Sequence, residues 1–236
     1  ASNNTAVGYG SLGANTTGTN NIAIGKSALD ANTTTNRNIA IGTDALGANT
    51  GGAENVAMGY ASLDTNSTGN RNTALGDATM DANTTGSDNV AVGQQALTAN
   101  TTANHNTAIG KLALGATTTG QYNTAVGSEA LDANTTASNN TAVGRSAMTE
   151  NTTGADNVAV GYGALDANTT AAYNVAVGIN SLGANTTGEG NTAVGREVMA
   201  TNTTGGLNVA IGRQALGANT TASENVSVGT YSSLAN

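Results

Sequence analysis

A period of seventeen residues runs through thirteen full units without a single insertion or deletion. Full units begin at Asn4, Asn21, Asn38, Asn55, Asn72, Asn89, Asn106, Asn123, Asn140, Asn157, Asn174, Asn191 and Asn208, and a partial unit covers 225–236. The shared pattern is Asn-[Thr/Val/Ile]-Ala-[Val/Ile/Leu/Met]-Gly-x-x-[Ala/Ser]-[Leu/Met]-x-Ala-Asn-Thr-Thr-[Gly/Ala]-x-x. Asn4-Thr5-Ala6-Val7-Gly8, followed by Leu12 and Asn15-Thr16-Thr17-Gly18, is typical. A strict period with apolar residues at fixed phase excludes a disordered linker. Seventeen residues are too few for two helices, and the Asn, Thr and Gly content disfavours even one. What remains is one solenoid coil per unit, each covering the apolar face of its neighbours. We therefore expect an all-β parallel β-solenoid or β-roll of about 14 coils, forming a single repeat domain over 1–236. At a strand spacing of about 4.8 Å, thirteen stacked coils would make a rod roughly 60 Å long.

Composition agrees with a thin core. Ala (43), Thr (40), Asn (34) and Gly (32) together fill 149 of 236 positions, and Phe, Trp, Pro and Cys are absent. Such a chain cannot build one large conventional core, but a narrow coil needs only two or three aliphatics per turn. The lack of Cys rules out a disulfide framework and any thiolate metal site. A formal net charge of -8 argues against nucleic acid and anionic membrane surfaces as partners. No apolar run approaches the roughly 18 residues of a membrane span, so membrane insertion by this segment is not expected. Nor does Ala1-Ser2-Asn3 begin a signal-peptide pattern, so the chain reads as a processed or excised segment.

Each position then receives a role. Alternation along the strand puts the second and fourth residues on one face and the third on the other. The fourth is always a large aliphatic (Val7, Ile24, Ile41, Met58, Leu75), and we assign it to the coil interior with the Leu or Met of the ninth position (Leu12, Leu29, Leu46, Met80, Met148, Met199). The third-position row is Ala6, Ala23, Ala40, Ala57, Ala74, Ala91, Ala108, Ala125, Ala142, Ala159, Ala176, Ala193 and Ala210, with Ser227 in the last unit. An unvarying small residue signals close packing, either within one chain or against a neighbouring subunit, and this row is the candidate subunit contact. The fifth-position glycines, such as Gly8 and Gly42, mark a bend with positive φ. Stacked Asn at the first and twelfth positions can bond along the coil axis. Asn15, Thr17, Asn32, Thr34, Asn83, Thr85, Asn134, Thr136, Asn185 and Thr187 form the candidate surface ladder. Of 22 charged residues, all but Glu150 fall at the sixth, seventh, tenth, sixteenth and seventeenth positions, the solvated turns.

No motif in the sequence carries the chemistry expected of an enzyme. His105 is the one histidine and has no fixed carboxylate or nucleophile beside it in the repeat. Asp30, Asp64, Asp81, Asp132 and Asp166 recur at the tenth position, but without a second acidic position the oxygen ligands for calcium fall short. Gly51-Gly52 lacks the Lys and the strand-to-helix setting of a phosphate loop. No catalytic residue, cofactor or metal is implied. Sequons such as Asn32-Thr33-Thr34 arise freely in an Asn- and Thr-rich chain. A regular Asn/Thr array on a weakly charged face also suggests ice binding as an alternative function.

Asn-Thr-Ala-Val-Gly and Asn-Ile-Ala-Ile-Gly, followed by a small-Leu pair and a polar turn, resemble the head repeats of trimeric autotransporter adhesins, the YadA-like left-handed parallel β-roll, and related phage tail-fibre repeats. The resemblance spans essentially the whole chain. It implies a homotrimer on an extracellular, cell-surface or virion stalk that contacts host surface proteins or glycans. The repeat departs from the family's usual unit by its longer Asn-Thr-Thr-Gly turn, and no coiled-coil stalk or anchor accompanies it. Thr230-Tyr231-Ser232-Ser233-Leu234 slips the register by one residue. The expected function is a non-enzymatic extracellular structural or adhesive rod that assembles with copies of itself, as a homotrimer or as a head-to-tail filament.

Overall fold

The computed structural model describes residues 1–233, so the register slip expected at Leu234 lies outside the described residues. The chain is an all-β parallel β-solenoid with one three-residue strand per unit. Where the sequence suggests a single repeat domain, two compact units form, Ala1–Gln121 and Tyr122–Asn236, and both are built by the same rules. The N-terminal unit holds β1 (Thr5–Val7), β2 (Ile22–Ile24), β3 (Ile39–Ile41), β4 (Val56–Met58), β5 (Thr73–Leu75), β6 (Val90–Val92) and β7 (Thr107–Ile109). The C-terminal unit holds β8 (Thr124–Val126), β9 (Thr141–Val143), β10 (Val158–Val160), β11 (Val175–Val177), β12 (Thr192–Val194), β13 (Val209–Ile211) and β14 (Val226–Val228).

Within each unit every strand pairs parallel with the next in chain order, without a register shift. Ala23 lies opposite Ala40 and Ala40 opposite Ala57, and in the C-terminal unit Ala159 lies opposite Ala176. Equal repeat length is what makes this possible, because the side-chain alternation would otherwise flip from one coil to the next. After the strand the chain reverses through consecutive tight turns. Ala45 N–H donates to Gly42 O at 3.4 Å, Gly47 N–H to Asp44 O at 3.2 Å and Asn49 N–H to Leu46 O at 3.2 Å.

These turns demand left-handed backbone at the seventh and ninth positions, as at Asp44 (φ 58°) and Leu46 (φ 50°), and again at the seventeenth, as at Arg37 (φ 60°). A non-glycine residue in this region costs on the order of 1 kcal/mol, and in every full unit the ninth is Leu or Met. Burial offsets that cost: Leu46, Leu97 and Leu165 are completely enclosed, and enclosing a Leu side chain stabilises by about 1.5–3 kcal/mol. The strand-ending glycine is held more tightly still. Gly93 has φ 130°, and a Cβ added there would lie 2.7 Å from the backbone carbonyl of Gly110 in the next coil. Sterics along the stack, as well as the torsion, therefore fix glycine at the fifth position.

The core differs from the expected one in a specific way. The third-position Ala, expected to face away from the aliphatic core, lines the interior: Ala23, Ala40, Ala91 and Ala159 have no exposed surface. The fourth-position aliphatics, expected inside, face outward, with Met58 42% and Ile109 40% exposed. The alternation along the strand is as expected, but its inner and outer faces are exchanged. A coil this narrow already contains the ninth-position Leu or Met and the eighth-position residue, usually Ala or Ser but Thr79 and Val198 in two coils, so the strand can contribute only a small side chain. The rest of the interior is polar, formed by the first- and twelfth-position Asn, such as Asn72 and Asn83, which are also fully enclosed.

Candidate functional site

Two Asn spines fasten coil to coil. In the first, each Oδ1 accepts the backbone N–H of the Asn one coil on, from Asn38 N to Asn21 Oδ1 (2.9 Å) and Asn72 N to Asn55 Oδ1 (2.9 Å) to Asn157 N to Asn140 Oδ1 (2.9 Å). The same side chains donate Nδ2 to the fifteenth-position carbonyl, as Asn72 does to Gly86 O at 2.8 Å. In the second spine, amide bonds amide: Asn83 Nδ2 donates to Asn66 Oδ1 at 2.8 Å and Asn100 Nδ2 to Asn83 Oδ1 at 2.7 Å. The C-terminal unit repeats this, with Asn168 Nδ2 donating to Asn151 Oδ1 at 2.7 Å. Buried amides are affordable only when so satisfied.

The exceptions have local causes. Thr35 replaces the usual Gly or Ala at the fifteenth position, and its hydroxyl inserts into the spine, donating to Asn32 Oδ1 and accepting from Asn49 Nδ2. Asn100 Oδ1 is buried without a partner, and the coil that follows has Thr117 where an Asn would supply the donating amide. Asn174 Nδ2 is a second such atom, for which the structure offers no evident reason.

This arrangement divides the candidate surface ladder. Thr17, Thr34, Thr85, Thr136 and Thr187 are exposed. Asn32, Asn83, Asn134 and Asn185 are fully buried, and Asn15 is half-buried, so the Asn half of the ladder is corrected to an internal spine. The same burial closes the twelfth-position sequons from Asn32 onward, since Asn83 Nδ2, for example, is committed both to Asn66 and to Gly86 O (3.1 Å); Asn3 and Asn139, which also begin Asn-x-Thr sequons, are exposed. The candidate subunit-contact row is corrected too. From Ala23 to Ala210 its members are fully enclosed within a single chain, and no neighbour can touch them; only Ala6, in the first coil, is exposed. Ser227, which ends the row, is buried at 4% exposure.

What each unit offers to a neighbour is the outer strand face, with one column from the second position and one from the fourth. In β3 to β5 these are Ile39 and Ile41, Val56 and Met58, Thr73 and Leu75; in β10 to β12, Val158 and Val160, Val175 and Val177, Thr192 and Val194. No charged residue stands in any strand. No family model matches this chain, and no curated protein or solved structure does so either. The face must therefore be judged by its own chemistry.

The remaining surface is mostly polar and charged, with Ile179 and Leu207 as exposed aliphatics on the turns. Arg37 pairs with Glu54 at 2.7 Å and Arg71 with Asp88 at 2.6 Å, each across one coil step. The bond from Arg71 holds the Asp88 carboxyl below its usual range. Glu197 is lowered likewise by hydrogen bonds from Arg196 and Gln214. Asp64 is raised, first by partial burial and then by the carboxylates of Asp44 and Asp81 on neighbouring coils. Asp132 is raised by burial and by Glu129 and Glu150. His105 lies exposed at a left-handed turn (φ 59°). Among the described residues no group of three or more His, Asp or Glu converges on a metal-sized space, and no helix is long and apolar enough to cross a membrane. The tyrosines Tyr9, Tyr60, Tyr122, Tyr162 and Tyr173 stand exposed on the turns, as their positions in the repeat suggest.

Proposed function

We propose that the chain is a non-enzymatic extracellular structural and adhesive module that associates with copies of itself through the outer strand face and presents its variable turns to other partners. The observation that supports this reading is the fourth-position column: a large aliphatic in every unit, turned outward, on a face without charge. A solvent-facing sheet surface ordinarily alternates toward polar residues, and a contiguous column of large aliphatics, beside a second-position column of Val, Ile and Thr, is characteristic of an interaction site. A homotrimer, as the adhesin-head resemblance implies, lets three such faces meet and cover one another. Ice binding is the weaker reading, because the Asn members of its array are internal and only a Thr column remains outside.

Sedimentation analysis tests the proposal. The chain is expected to sediment as an oligomer. Ile41→Lys with Leu75→Lys, both at outward positions, is expected to yield a folded monomer. A wild-type monomer at all accessible concentrations would contradict the proposal.

A further inference from the structure

In the C-terminal unit two shallow depressions of about 400 and 420 Å³ share Glu197 and Ala200, and so adjoin as one trough. The trough crosses the four coils that begin at Asn157, Asn174, Asn191 and Asn208. Its floor is made of small tenth- and eleventh-position residues, Gly183, Ala184, Ala200, Gly217 and Ala218. Its polar edge is the seventh-position series Asn180, Glu197 and Gln214, with Asp166 at one end. Gln214 Nε2 donates to Glu197 Oε2 at 2.6 Å, and Arg196 pairs with the other carboxylate oxygen at 2.7 Å.

The sixth-position column, next to this edge in sequence, contains every cation of the unit: Arg145, Arg196 and Arg213. It also holds Tyr162, 48% exposed, with the Arg145 guanidinium 5.0 Å from its ring centre. Of the charged residues that line the trough, Glu197 is paired with Arg196 and Asp166 stands at one end, so the lining presents no cation to a ligand. An anionic ligand is therefore disfavoured. Hydrogen-bonding groups of the seventh position (Asn180, Glu197, Gln214) recur over three coils at the spacing of about 4.8 Å, with Gly163 in that position and Asp166 at the tenth in the fourth coil, above a floor of methyl groups and bare backbone. A ligand suited to this pattern has hydroxyls along its edge, C–H faces, no net charge, and a repeat close to one coil step. An extended pyranose chain has all four properties.

We infer that the trough binds a linear neutral oligosaccharide lying along the coil stack, one sugar per coil across four coils. Seventh-position groups hydrogen-bond the sugar hydroxyls, the Ala and Gly floor receives the C–H faces, and Tyr162 borders the end toward Arg145. The inference rests on the adhesive half of the proposed function and is independent of self-association.

Calorimetric titration of the full chain with cello-, chito-, malto- and xylo-oligosaccharides of two to six units tests it, with oligogalacturonate as the acidic comparison. Binding of at least one neutral series is expected, tightening with length up to four units and then levelling off. Gln214→Ala is expected to weaken that binding at least tenfold. Ala200→Trp, at a half-buried turn position that accommodates Asp, Thr, Gly or Ala elsewhere in the repeat, is expected to abolish it. Both variants should keep wild-type circular dichroism and oligomeric mass, which separates failure of this site from failure of the assembly face. No binding in any neutral series, tighter binding of oligogalacturonate, or binding indifferent to Ala200→Trp would each overturn the inference.

Discussion

At the scale of single residues, stability rests on buried amides that are nearly all satisfied. The partnerless Asn100 Oδ1 is the informative exception, because the coil after it carries Thr117 in place of Asn. Thr117→Asn supplies the missing amide, and the variant is expected to gain about 1 kcal/mol, the typical net value of a hydrogen bond, in urea denaturation; a loss would show that the site cannot accept the larger side chain. The carboxyl of Asp64 makes the opposite contribution. Its pKa is raised in the folded chain, so the folded state holds that proton more tightly than the unfolded state. Stability is therefore unaffected below the usual carboxylate range and falls as pH rises through the raised value. Asp64→Asn is expected to raise the melting temperature at about pH 7 and to leave it unchanged near about pH 3, below the usual carboxylate pKa. An equal effect at both pH values would exclude ionisation as its cause.

At the scale of the repeating element, much is legible from sequence, and the exception is instructive. The period, the one-strand coil, the glycine bend, the buried Leu and the stacking Asn all follow from phase and residue type. Which strand face points inward does not follow from alternation, since alternation is symmetric between the faces. Hydrophobicity favours the Val and Ile face, yet variability within the repeat points the other way. The fourth position accepts Val, Ile, Leu or Met, as an open face allows, whereas the third admits nothing larger than Ala or Ser. The candidate ladder fails for a similar reason: Asn32 and Asn83 read as surface residues because amides are usually exposed, whereas here the neighbouring coils supply their partners. Ala91→Leu, on the inner face, is expected to cost about 1–3 kcal/mol or to prevent folding through overpacking. Val92→Leu, one residue away on the outer face, is expected to cost far less, by under about 0.5 kcal/mol, because that position already accepts Val, Ile, Leu or Met in other units. Equal costs in chemical denaturation would mean that the two faces are not distinguished as described.

At the scale of the whole molecule, the two units share one design: a closed interior of Ala, Leu and Asn, variable polar turns, and an aliphatic strand face with no cover in the single chain. The interior is what holds the coils together, leaving the outer face and the turns to account for function. Because the chain contains no cysteine, a single Leu75→Cys substitution on the outer face of β5 reports contact between copies and nothing else. Under mild oxidation the account predicts a disulfide-linked dimer in high yield at dilute concentration, with Thr85→Cys on the exposed turn remaining uncrosslinked. A Leu75→Cys chain that stays uncrosslinked and reacts with maleimide as fast as the Thr85→Cys chain would contradict self-association through the strand face.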